Sequence, residues 1–139
     1  MPPKSVAYLD GKEYDVEKLQ QLSKRSQFIF WPINQKYLTH RVWKGRSPGE
    51  CLLTHDREHF ERIYFANIFD PILIEPLHGR VIDGYHRIIK ALMLGVVMMQ
   101  AKQLTSSMMD KAFVRKLTPK EKRMHNQNVF GTKKDVHGG

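Results

Sequence analysis

Gly79-Arg80-Val81-Ile82-Asp83-Gly84-Tyr85-His86-Arg87 is the stretch whose reading decides the fold: a short strand, a glycine bend and the start of a helix. After it, Ile88, Ala91 and Leu92 recur at helical spacing, and Gly95 stands where a left-handed C-cap belongs. A helix opening at Tyr85 leaves its first backbone amides without intrahelical partners, and its dipole favours negative charge there. Gly84 lets an anion approach the backbone with no side chain in the way. Arg87 can fork onto phosphate oxygens, and His86 can donate a hydrogen bond or move a proton near neutral pH. Asp83 is repelled by any phosphate it faces, so it is expected either to cap the helix or to hold a metal ion or a hydroxyl substrate. On chemistry alone, the same residues also read as an ordinary capped turn carrying a surface His-Arg pair.

Working outward, residues 71–75 (Pro-Ile-Leu-Ile-Glu) and 80–82 form a hairpin around His78-Gly79. Upstream, 56–67 is expected to be a helix capped by Asp56, with Phe60, Ile63 and Tyr64 as its apolar stripe. Residues 27–31 (Gln-Phe-Ile-Phe-Trp) read as a buried strand ended by Pro32, with Phe28, Phe30 and Trp31 in the core. A first helix spans 15–24, capped by Asp15, with Val16, Leu19 and Leu22 on one face. Downstream, 96–102 reads as a strand that Leu104 can extend, and 106–117 as a last helix. Met98-Met99 and Met108-Met109 read as core filler. Between these elements, 34–54 is a long basic loop, and long loops are often functional. The expected architecture is an α+β domain over 5–117, a small mixed sheet with flanking helices, followed by a basic flexible tail over 118–139.

Composition narrows the function classes. The chain has 139 residues, which suits one domain, with 23 Lys and Arg against 14 Asp and Glu. Residues 112–139 hold seven basic and two acidic side chains, net +5; the remaining 16 and 12 give the first 111 residues only +4. A basic balance favours nucleotides or nucleic acid as partners, though a charged tail also serves solubility. The one cysteine excludes a disulfide framework and a Cys-based zinc ribbon, and fits a reducing compartment. The longest apolar run, near 88–99, is interrupted by Lys90 and Gly95 and is too short to span a bilayer. With no signal-like apolar core at its start, the chain is expected to be cytoplasmic, without a membrane partner.

The strand opening at Pro71, the string Asp83-Gly84-Tyr85-His86-Arg87, the small residue Ala91 and then Gly95 together resemble the core of the ParB/sulfiredoxin-like superfamily. The resemblance covers about residues 56–104 and is nearest to the Asp-Gly-x-His-Arg form seen in serine kinases and many uncharacterised members. It implies a turn that binds nucleotide phosphates, with Gly84, His86 and Arg87 at the phosphate-holding positions. Two departures limit what carries over. Sulfiredoxins have their reactive cysteine where this chain has Tyr85, and Cys51 lies outside the motif, so sulfinate reduction is not expected. ParB proteins have a Glu-Asn motif in the following helix and a DNA-binding module after it. Here that helix reads Ser106-Ser-Met-Met-Asp-Lys-Ala-Phe113 and no helix-turn-helix follows, so a partition clamp is not expected.

The leading expectation is a phosphotransferase or nucleotide hydrolase that uses ATP or CTP with Mg²⁺. The amides of Gly84, Tyr85 and His86 and the Arg87 side chain hold the phosphates, and Lys44 or Arg46 neutralises the transferred group. Asp83, or an acid such as Glu50, binds Mg²⁺ or orients the acceptor; Asp83, His86 and Arg87 are the candidate catalytic residues. No G-x-x-x-x-G-K-[ST] string is present, which excludes P-loop chemistry. An alternative is a nucleic-acid-binding or nuclease-like phage or plasmid protein, gripping the backbone through Arg41, Trp43, Lys44, Arg46, Lys120, Lys122 and Arg123. Another is a non-catalytic protein that binds a host protein through a His-rich surface. His55-Asp56-Arg57-Glu58-His59 matches the H-x-x-E-H zinc-protease string, but no third ligand helix is apparent and no metal is expected.

Overall fold

Residues 5–125 are described in the computed structural model of the protein. At its centre is β4 (Ile72–Ile74), three consecutive apolar residues that are all buried. It pairs antiparallel with β5 (Val81–Asp83) and parallel with β6 (Met98–Gln103), which pairs antiparallel with β3 (Ile29–Pro32). The mixed four-stranded sheet therefore runs β3-β6-β4-β5. Successive side chains of a strand point to opposite faces, so β4 feeds two cores. Ile72 and Ile74 pack with Tyr37, Val81, Ile88, Ala91, Met99 and Ala101, whereas Leu73 packs with Leu9, Tyr14, Leu19, Leu104 and Met109. Each fully buried aliphatic side chain contributes about 1.5–3 kcal/mol.

The second face is closed by a small antiparallel sheet that the sequence reading did not anticipate. Strands β1 (Val6–Leu9) and β2 (Lys12–Asp15) form a hairpin, and β7 (Phe113–Lys116) adds to β2. The two turn residues, Asp10 and Gly11, both have positive φ (52° and 74°), the geometry that matches strand twist in a two-residue hairpin. The helix expected over 106–117 stops at Ala112 (α5, Ser106–Ala112). Phe113 is already extended, because the free edge of β2 offers backbone partners that a further helical turn would not use. Mixed α+β architecture with small sheets flanked by helices is thus as expected, with two sheets in place of one.

Helix α1 (Val16–Leu22) is capped by Asp15, whose carboxylate accepts from the Lys18 amide at 3.1 Å. Helix α3 (Arg57–Phe65) is capped in the same way by Asp56, and α4 (Tyr85–Met93) packs beside it. The long basic loop is not structureless: it holds a 3-10 turn over Gln35–Thr39, a tight turn at 43–46 and α2 (Pro48–Leu53). Several expected core residues lie at the surface. Phe28 and Phe30 are 55% and 70% exposed, since among the described residues no layer covers one side of the edge strand β3. Phe60, Tyr64 and Met98 are exposed as well, leaving Ile63 as the buried residue of α3.

Ordered structure also continues past 117. Thr118 and Glu121 form a reciprocal capping box for α6 (Pro119–Met124), and Arg115 holds Glu121 through two bonds of 2.8 and 2.7 Å. The stretch 118–125, read as the start of a tail, is therefore a helix and its cap, and the rest of the expected tail lies outside the described residues. No helix among the described residues is long and apolar enough to cross a membrane.

An ion network with buried Arg80 and Glu75 and exposed Asp10 ties the two hairpins together. Arg80 donates to both Asp10 oxygens (2.8 and 2.6 Å) and through Nε to Glu75 (3.1 Å). Glu75 also accepts from the amides of Leu77 and His78. Burial pushes Glu75 upward, but the amides and Arg80 outweigh it, so its carboxyl is held below its ordinary value; Asp10 is lowered mainly by its bonds from Arg80.

Candidate functional site

The bend into α4 is built as its residues require. Gly84 has φ 122°, a conformation that disfavours a side chain, and a Cβ placed there would lie 2.5 Å from Ile72 Cγ2. The turn therefore passes directly over the buried central strand. Gly84 is the N-cap of α4 and no side chain caps the helix. Asp83 does not serve as cap; it accepts from Arg87 Nη2 at 3.1 Å and from Gln20 Nε2 at 3.2 Å. Arg87 Nη2 also donates to the Pro71 carbonyl at 3.3 Å, while Arg87 Nε is buried with no partner among the described residues.

Two cavities meet at Asp83 and Gly84. The larger, about 460 Å³, is bordered by β1, the turn at 43–46, the start of α3 and the end of β5. Lys44 and Arg46 line it together with Asp83, Gly84 and Tyr85. The smaller, about 350 Å³, is lined by His86 and Arg87 together with Arg62 and Asp70. The expected phosphate-binding residues are thus distributed over two adjoining spaces. Arg62 borders both, and sequence reasoning did not single it out. Its position one helical turn after Glu58, with which it pairs at 2.7 Å, was the available signal.

His86 is held by aromatic stacking. Trp43 lies flat against His59 (centroids 3.9 Å, 9° between planes) and against His86 (4.5 Å, 16°). His59 Nδ1 and His86 Nε2 are 2.8 Å apart, so one donates to the other. Burial, with the cations nearby, pushes His86 down to about 4, so the ring is neutral at neutral pH. His59 engages its Nε2, which leaves the backbone amide and Nδ1, without a partner among the described residues, as its offers to a ligand. The Tyr85 side chain is buried and meets His40 Nδ1 at 2.7 Å, so Tyr85 can contribute only backbone. Trp43 is accommodated by a two-residue turn in which Lys44 and Gly45 both have positive φ (53° and 80°).

Other expected residues lie elsewhere. Glu50 is exposed on α2 and Arg41 is exposed beside the turn, and neither borders these cavities. Lys120, Lys122 and Arg123 are exposed on α6, with the Lys122 stem over Gly11. The end of α6 approaches the larger cavity through His125, which stacks on Tyr8 at 3.9 Å. The H-x-x-E-H reading does not hold as a helical pair: His55 precedes the helix with φ 54°, and Asp56 is the cap. No family model matches the chain, and neither a curated protein nor a solved structure matches it.

Proposed function

We propose that this protein binds a nucleotide by its phosphates at the N-terminus of α4 and acts as a phosphotransferase or nucleotide hydrolase of the ParB/sulfiredoxin-like kind. The observation that carries this reading is the uncapped first turn of α4 under a positive-φ glycine, bordering a cavity of about 460 Å³. That volume lies in the range of small-ligand sites, roughly 300–1,000 Å³. Free amides at a helix N-terminus favour anions, and Lys44 and Arg46, which line the same cavity, supply positive charge. Arg87 reinforces it from the adjoining space. The likeness to the superfamily rests on the Asp-Gly-x-His-Arg turn in its strand-to-helix setting. Mg²⁺ takes carboxylate, phosphate and water oxygens, and Asp83, rather than the remote Glu50, is the acid positioned to hold it.

The test is a thermal-shift panel with ATP, CTP and inorganic phosphate, with and without Mg²⁺. A nucleotide at 100 times its Kd adds about 2.7 kcal/mol, which for this size is a rise of roughly 10 °C. Arg87→Ala, compared with its own unliganded baseline, is expected to lose most of that rise. No shift with any nucleotide in the wild type, or an undiminished shift in the variant, overturns the reading.

A further inference from the structure

We infer a divalent transition-metal site, suited to Zn²⁺, formed by Cys51, Asp56 and His59. Each offers a ligand atom, and these atoms lie within 4.8 Å of one another. Tetrahedral zinc with bonds of about 2.0–2.3 Å sets its ligands roughly 3.3–3.7 Å apart, so the side chains close by about 1 Å on binding. The backbone has already brought them together. Cys51 lies in α2, and the left-handed residue His55 reverses the chain so that the Asp56 amide donates to the Cys51 carbonyl at 3.0 Å. His59 follows Asp56 within the first turn of α3.

Two further features belong to a ligating histidine rather than to a surface one. Trp43 stacks flat on the His59 ring and fixes its plane, and His86 occupies its Nδ1 at 2.8 Å. A metal-bound histidine almost always donates its second ring N–H to an acceptor, which sets the tautomer, and the neutral His86 ring can take that place here. Asp56 gives one oxygen to the His59 amide at 3.2 Å, and the other makes only a 3.5 Å contact with Arg46. Three protein ligands bordering a cavity leave the fourth position to water, the pattern of reactive rather than purely structural zinc. A thiolate in the set selects zinc, cobalt or iron over Mg²⁺ and Ca²⁺. On binding, the sulfur–metal bond forms and the thiol proton leaves to water.

The site borders the same cavity as the proposed nucleotide site but does not depend on that reading, and its test uses the full-length protein without nucleotide. Chelator-treated protein is titrated with Co²⁺ and followed by absorption. The expected result is one equivalent bound, with a thiolate-to-cobalt band in the near ultraviolet and tetrahedral bands in the visible, both removed by stoichiometric Zn²⁺. Because Cys51 is the chain's one cysteine, the wild-type spectrum alone reports whether its sulfur binds. His59→Gln is expected to weaken binding at least tenfold, whereas His55→Gln leaves it unchanged. Absence of the thiolate band, or an unaltered titration in His59→Gln, overturns the assignment.

Discussion

Gly84→Ala is the sharpest probe of the bend on which the site is built. The substitution meets two separate costs. A side chain at φ 122° carries backbone strain of at least the left-handed kind, about 1–2 kcal/mol. Its Cβ would also sit 2.5 Å from Ile72 Cγ2, where carbon atoms prefer roughly 3.5–4.0 Å. Ile72 cannot retreat, because it is fully buried in a strand paired on both sides. Overpacking of this sort costs about 1–3 kcal/mol, giving a total of about 2–5 kcal/mol. Gly95→Ala is the matched control: φ is 79°, but nothing lies within 4 Å of the added carbon, so only the strain remains. Urea unfolding followed by far-UV circular dichroism measures both variants, and a 3 kcal/mol loss moves the midpoint by about 1–3 M. If Gly84→Ala costs no more than Gly95→Ala, the close passage over β4 is not what demands glycine, and the account of the turn fails.

Arg80→Met is expected to cost about 3–5 kcal/mol in the same assay, because it strands the buried Glu75 carboxylate. Asp10 and Glu75 both titrate below their ordinary values of 3.8 and 4.5 in the folded protein. The stability they contribute is therefore fully present above about pH 4.5 and is lost as pH falls through their folded values. Urea midpoints of the wild type should drop on acidification in that window, and those of Arg80→Met should drop less; parallel curves would refute the assignment of the effect to this network. Phe30→Ser, on the open side of β3, should change stability by no more than about 0.5 kcal/mol. Ile74→Ala, in the fully buried strand, should cost about 2–5 kcal/mol by the same measurement. Equal losses in the two would mean that β3 is covered in solution.

The sequence alone specified the elements whose signals are local. Caps at Asp15 and Asp56, the bend at Gly84 and the C-cap at Gly95 depend on a few adjacent residues, and the structure has each of them. The turn at Asp10-Gly11 is also legible, since an Asp-Gly pair is a two-residue hairpin signal, but the flanking Val6–Leu9 and Lys12–Asp15 lack the alternation that marks a strand. Other features were settled by contacts between residues far apart in the chain. Val114 left the expected helix because β2 had an unpaired edge about one hundred residues earlier in the chain, and Phe30 lies at the surface because, among the described residues, no layer covers that side of β3. The site divides in the same way. Residues 83–87 declared a strand-to-helix bend by their order, but only tertiary packing stacked Trp43 on His59 and His86. Backbone conformation is written in neighbouring residues; which side chains meet across a cavity depends on how the layers pack, and no short stretch of sequence carries that information.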